Sequence, residues 1–299
     1  MAAGPGPSDG QPLLYWIATL YLVLIVAVVG GMLLHNLLDF LRKSKRQMQI
    51  RRGEIPAEPA GHRVYVRMTL GERLQHASLM LSFFLLVITG FMLRYPDAFW
   101  VIAIRRLSHR AFDLRSVIHR AAAVVMVMAS LYHVVYVVVT RRGRQFLRDM
   151  WWRVRDLRDP ITALRYNVGL SPERPKFDRF SYVEKAEYWA LVWGTIVMAV
   201  TGIVMWFDNT FIGLFTKLGY DVSRTIHFYE AWLASLAILV WHIYFVVFNP
   251  DVYPMNMAWL KGTLTEREME EEHPLELERI RENAETPRPG RRTPEPEGA

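Results

Sequence analysis

Residues 117–139, VIHRAAAVVMVMASLYHVVYVVV, are apolar almost throughout and carry histidines at 119 and 133. About 20 apolar residues in a helix span the hydrocarbon of a bilayer, so this run predicts a membrane-crossing helix. Such a helix turns about 100° and rises about 1.5 Å per residue. The spacing of 14 residues therefore sets His119 and His133 on nearly one face, roughly 21 Å apart in depth. Residues 226–248, IHFYEAWLASLAILVWHIYFVVF, repeat the device with His227 and His242, 15 apart. Ionisable side chains at membrane depth are costly and mark functional positions. Two matched pairs predict metal held between helices at two levels, as by two haems stacked across a bilayer.

Working outward, five runs approach the required length: Leu13–Leu34, Leu74–Leu93, Val117–Val139, Tyr188–Phe207 and Ile226–Phe248. The chain has 299 residues, 52% of them hydrophobic and 22% charged, a mixture that suits apolar spans joined by charged loops. The fold class expected is an all-α membrane protein of five transmembrane helices. The first run follows Ser8 and Asp9 rather than a basic region and is read as a retained span, not a cleaved signal. Absence of cysteine excludes disulfides, thiolate-held iron–sulfur clusters and covalent haem attachment. Any haem is then non-covalent and held by histidine.

The net charge of +7 reflects topology rather than nucleic-acid binding, because the basic residues gather beside the spans. Arg42, Lys43, Lys45 and Arg46 open the connection between spans one and two, and Arg141, Arg142, Arg144 and Arg148 that between three and four. Between spans four and five, Asp208 to Val222 holds one lysine, Lys217. The positive-inside bias places the first two connections in the cytoplasm of a bacterial inner membrane, with the N-terminus periplasmic and the C-terminus cytoplasmic. Arg105, Arg106 and Arg110 on the outer connection run against that bias. The organisation expected is an N-terminal transmembrane helix (1–41), a basic cytoplasmic linker (42–70), a four-helix domain (71–260), and a tail (261–299) that is a short surface helix followed by disorder from Pro287. The basic, aromatic stretch Trp151–Tyr166 is expected to lie along the inner surface.

The four later spans form a two-helix unit used twice. Glu72-Arg73 recurs as Glu184-Lys185 and Thr89-Gly90 as Thr201-Gly202, both at an offset of 112; Ile118-His119 matches Ile226-His227, and Tyr132-His133 matches Trp241-His242. Repeats of one direction are related by an axis along the membrane normal, which brings span three's histidines toward span five's. His76 aligns with Tyr188, so that position is not duplicated. Gly90 and Gly202 are read as points of close helix approach.

His119 with His227 is the outer pair. The inner side is crowded, because His35, His76, His133 and His242 fall at similar depth. All six are candidate iron ligands, enough for at least two haems and for a third; His62, His109 and His273 are read as solvated. Bis-histidine ligation leaves no open position on iron and favours electron transfer. Arg115, Arg224 and Arg73 precede His119, His227 and His76 by one helical turn, where each could meet an anionic haem propionate. Glu230 is the one carboxylate deep in an apolar run and is open to a helix–helix bond or to proton movement. Glu184 and Glu187 are candidates for proton relay to a quinone.

The run Arg67-Met68-Thr69-Leu70-Gly71-Glu72-Arg73-Leu74-Gln75-His76, followed by a span ending in Thr89-Gly90, resembles the cytochrome b subunits of formate dehydrogenase, nickel–iron hydrogenase and thiosulfate reductase. The likeness covers roughly Val64 to Gly262. It implies a four-helix bundle holding two b haems that exchange electrons with a membrane quinone, paired as His119–His227 outside and His76–His242 inside. His133 is not in the family pattern, Ala77 stands where tryptophan is frequent, and the N-terminal span is additional. The resemblance thus leaves His133 and His35 for a third haem, whereas the duplication pairs His133 with His242 and leaves His35 with His76.

The function expected is a membrane electron conduit between the quinone pool and a periplasmic redox partner, either a multihaem cytochrome c or an iron–sulfur subunit. The rivals are a non-redox transporter or anchor, in which histidines line a proton path, and a transmembrane reductase that needs no partner.

Overall fold

The computed structural model describes residues 10–56 and 63–285. Ser8, Asp9, His62 and the segment from Pro287 lie outside the described residues. Helix α1 (Gln11–Arg51) comes first, followed by a short strand, β1 (Val64–Val66). The bundle comprises α2 (Leu70–Arg94), α5 (Arg115–Val139), α8 (Tyr182–Trp206) and α9 (Asp208–Ala237) with its continuation to Phe248. Between α2 and α5 lie α3 (Phe99–Leu107) and α4 (His109–Asp113); between α5 and α8 lie α6 (Arg141–Met150) and α7 (Val154–Asn167). After the bundle come α10 (Ala258–Lys261), β2 (Thr263–Thr265), α11 (Glu266–Glu272) and α12 (Pro274–Glu285). Among the described residues, five helices are long and apolar enough to cross a membrane, α9 contributing from Thr216 onward. The two ends are named outer and inner after the charge bias of the sequence.

The repeated Glu-basic pair starts each hairpin. Thr69 caps α2 and Glu72 reaches back to the Thr69 amide; Ser181 and Glu184 do the same for α8. Such reciprocal capping satisfies donors that a helix N-terminus leaves orphaned. Helices α2 and α5 pack as one antiparallel pair, α8 and α9 as the other, and α1 lies outside them against α9. Large apolar side chains of α1, among them Leu20, Val23 and Val26, are exposed, whereas its buried residues are Asn36 and Asp39. This inversion fits a helix with hydrocarbon as its solvent. Helix α7 shows it too: Val154, Leu157 and Ile161 face outward while Asp156 is buried against Lys185 at 2.7 Å. From Ile238 to Phe248 the last span is wound as π-helix around His242, a departure from α geometry that frequents functional sites.

Three expectations need correction. The 42–70 stretch is not wholly a linker, since α1 continues to Arg51 and Val64–Val66 pairs antiparallel with Thr263–Thr265. Nor is 261–285 a loose surface helix. Its glutamates conceal three apolar residues, Leu264, Met269 and Leu277, which form a buried cluster of their own. The segment folds as a cap on the inner end: Arg67 pairs with both Glu184 of α8 and Glu276 of α12, at 2.9 and 3.1 Å. His273, read as solvated, is 4% exposed and donates from Nδ1 to the Asp178 carbonyl at 2.9 Å.

Candidate functional site: paired histidines at two levels

At the outer level, His119 Nδ1 lies 3.0 Å from Thr89 Oγ1 and His227 Nδ1 lies 2.9 Å from Thr201 Oγ1. Each hydroxyl already donates to the carbonyl one turn back, Leu85 at 2.5 Å and Val197 at 2.7 Å. A hydroxyl has one proton to give, so toward the imidazole it accepts. Each Nδ1 therefore carries the hydrogen and each Nε2 presents a lone pair, the tautomer a metal ligand needs. Gly90 and Gly202 make room for the rings: a Cβ at Gly90 would stand 3.2 Å from His119 Cε1, and one at Gly202 3.5 Å from His227 Cε1. The repeated glycines, read from sequence as points of close helix approach, instead accommodate two histidines that the neighbouring threonines orient. Each ring thus holds the equivalent place in its own hairpin at the outer level.

At the inner level, the rings of His76 and His242 lie tilted by 43° with centroids 6.3 Å apart. Two metal–imidazole bonds of about 2 Å, with each nitrogen about 1.1 Å from its ring centre, give about 6 Å. The pair is thus spaced for one ion between them. His242 Nδ1 donates to Glu187 Oε2 at 3.1 Å, an arrangement that fixes tautomer and raises ligand basicity. Trp259, just beyond the last span, lies 6.4 Å from the His76 ring.

His133 and His35 are engaged otherwise. His133 Nδ1 meets Gln75 Oε1 at 2.9 Å and its Nε2 meets the Tyr188 hydroxyl at 3.1 Å. His35 Nε2 meets the Tyr182 hydroxyl at 2.6 Å, and its ring rests on Trp241 at 4.8 Å. Neither the His133–His242 pairing expected from the duplication nor a His35–His76 pairing is assembled. The repeat explains why. Gln75-His76 aligns with Glu187-Tyr188 at the same offset of 112, so the inner level has two equivalent halves. In one, Glu187 and His76 flank His242; in the other, Gln75 and Tyr188 flank His133. One neighbour of each histidine, Glu187 or Gln75, comes from its own hairpin and the other, His76 or Tyr188, from the opposite one, a crossing that sequence spacing along single helices could not reveal.

The arginines sit at the two ends as expected, with some of their bonds spent on protein. Arg73 donates to the Leu260 carbonyl, and Arg115 donates to the Phe112 carbonyl at 2.6 Å and lies over the Phe112 ring. Arg73 Nε and Arg115 Nε remain without a hydrogen-bond partner. Arg224 lines an outer recess of about 560 Å³ with Arg94, Asp221 and Tyr229. Glu230 is buried, its carboxylate packed against Gly194 of α8, the helix–helix role.

Among the described residues no group of three or more His, Asp or Glu could hold a bare metal ion. Paired imidazoles at two depths need a ligand that brings its own equatorial donors, and haem does. The model of the prokaryotic cytochrome b561 family matches residues 67–254. The chain belongs to that family. This cytochrome is therefore a multi-pass bacterial membrane protein, of haem b type, acting in electron transfer. A search of curated proteins finds no match to it. The family region ends before β2 and begins after α1, so the first span and the inner cap lie outside the matched residues.

Proposed function

We propose that this cytochrome carries electrons between the membrane quinone pool and a periplasmic redox partner, a multihaem cytochrome c or an iron–sulfur subunit, through two b haems. The observation that carries the reading is the inner pair, His76 and His242, with ring centroids 6.3 Å apart. His119 with His227 would hold the outer haem and His76 with His242 the inner one. Bound haem b supplies a one-electron couple, and bis-histidine ligation keeps small molecules off the iron. Thr89 and Thr201 hold the outer imidazoles in the ligating tautomer, and Glu187 does so for His242. Arg115 and Arg224 offer positive charge to outer propionates, and Arg73 to inner ones.

The basic connections support an orientation with α6, α7 and the cap in the cytoplasm and the N-terminus in the periplasm. A soluble partner on the outer face would then exchange electrons with the outer haem while the quinone reacts at the inner end. The test is to purify the full chain and quantify haem as the pyridine haemochrome, then add a quinol and follow the reduced b band. Two haems per chain, reducible by quinol, is the expected result; a chain that loads no haem overturns the reading.

A further inference from the structure

We infer that α1 holds the last span in the register that carries His242, and so sets the midpoint potential of the inner haem, with Asn36 and Asp39 as positioning residues. This rests on the ligation read above and gives a task to an element outside the family-matched residues. The two hairpins differ in the spacing of their histidines, 14 residues from His119 to His133 and 15 from His227 to His242. One additional residue turns a straight α-helix by about 100°. It would turn His242 by that angle relative to its counterpart in the other hairpin. The last span takes up the residue by π winding. Just before and around His242, the Ile243 amide bonds the Ile238 carbonyl, five residues back rather than four, so this turn holds one residue more than an α turn. A second π turn follows, closed by the Asn249 amide on the Tyr244 carbonyl. Such turns are rare and frequent functional sites.

Helix α1 grips this segment on both sides of the ligand. Two residues before His242, the Val240 carbonyl accepts from Asn36 Nδ2 at 2.6 Å; two residues after it, the Tyr244 hydroxyl donates to Asp39 Oδ2 at 2.8 Å. The His35 ring rests on Trp241, the ligand's neighbour in sequence. Below them, Lys43 donates to Asn249 Oδ1 and Gln47 to Asp251 Oδ1, both at 3.1 Å. Positions 36, 39, 43 and 47 share one face of α1 and meet 240, 244, 249 and 251 in order, which clamps the two helices along the whole π segment. Asn36, Asp39, Tyr244 and Asn249 are buried, while Leu33, Leu34, Leu37 and Leu41 of α1 are exposed. In hydrocarbon, apolar packing favours no register, and polar bonds between helices decide it. A haem's potential responds to its axial ligands and to the bonds that orient them. Glu187 orients the His242 ring through Nδ1, and α1 holds the backbone that carries the ring. Toward the outer level α1 touches α9 by an aromatic stack instead, Tyr21 on Tyr229 at 5.9 Å.

The test is a redox titration of the full haem-loaded chain, with the low-temperature EPR signal of each ferric haem, the inner haem being the one lost in His76→Ala. In Asn36→Leu the reduction equilibrium of the inner haem should change at least tenfold, about 59 mV for one electron. Its largest g value should move as well, and the outer haem should keep both properties. Tyr21→Leu loosens α1 far from the π segment and should leave the inner haem where it was. An inner haem unmoved by Asn36→Leu overturns the inference and leaves the electron-transfer reading standing. An equal shift in Tyr21→Leu overturns it too, because any slackening of α1 would then suffice. Should Asn36→Leu fail to fold, Tyr244→Phe decides: it removes one hydroxyl and keeps the ring, and the inner haem alone should shift. No shift there counts against α1. A wild type that loads no inner haem overturns this inference together with the ligation on which it rests.

Discussion

The two inner half-sites are built on one plan and differ by two side chains. Where His242 meets Glu187 and His76, His133 meets Gln75 and Tyr188. Exchanging carboxylate for amide removes the charge that makes an imidazole a stronger ligand. Exchanging imidazole for phenol removes the second axial donor and puts a hydroxyl on the first. On the proposed ligation, the repeat supplies two histidine sockets, and the two differing side chains leave one of them for iron. The outer level shows no such divergence: His119 and His227 keep matching threonine and glycine partners.

The sharpest way to break this comparison is to remove a ligand from each half. Replacing His242 or His76 by alanine should cost one whole haem equivalent, with the outer haem retained; replacing His133 should cost none. Equal losses in both halves would show that the half-sites had not diverged. A smaller effect is expected when the halves are made alike. Glu187→Gln gives His242 the amide that His133 has, and loss of such a supporting group typically weakens metal retention about 10–100-fold. Haem release to apomyoglobin measures this, and Gln75→Glu should leave the release rate unchanged.

Between the outer partners the glycines set a finer asymmetry. An alanine Cβ at Gly90 would stand 3.2 Å from the His119 ring, tighter than the 3.5 Å at Gly202. Overpacking of this kind costs about 1–3 kcal/mol where neighbours cannot yield, so Gly90→Ala should lower the thermal midpoint of the outer haem more than Gly202→Ala. A larger drop for Gly202→Ala would contradict the ring placement.

The smallest expected effect is on the inner cap, which leaves haem untouched and which distinguishes the inner end from the outer. Burial first, and then the Arg67 guanidinium, holds His273 at about 4. The folded cap therefore binds fewer protons there than the free tail, and this contribution is present above the ordinary value of 6.5 and lost as pH falls toward 4. Burial, and then neighbouring Glu184, pushes Glu272 up to about 7. Its contribution has the opposite sign, weakening cap docking as pH rises from 4.5 to about 7. Hydrogen exchange across 263–285 should vary little with pH in the wild type. Protection should rise with pH in Glu272→Gln and fall with pH in His273→Phe; parallel slopes would refute the opposed pair.

Much of the site was legible in advance because histidine is conspicuous in hydrocarbon. The spacings of His119, His133, His227 and His242 identified the helices and the two depths, and the run from Arg67 to His76 identified the family. The Thr-Gly repeat was visible too, yet its hydroxyls gained meaning only when Thr89 and Thr201 were seen donating backward to their own helices. The cap was hidden by composition. Its glutamates suggested a solvated helix, while three apolar side chains and Arg67, distant in sequence, folded it onto the bundle.

By itself the sequence determined the spans and the depth of each imidazole, since hydropathy and helical rise act along one chain and need no neighbour. Which histidine meets which partner was decided by tertiary structure alone. Spacing fixes a residue's height and face but not the helix opposite it, and the crossing of the two hairpins gave His242 to His76 and His133 to Tyr188.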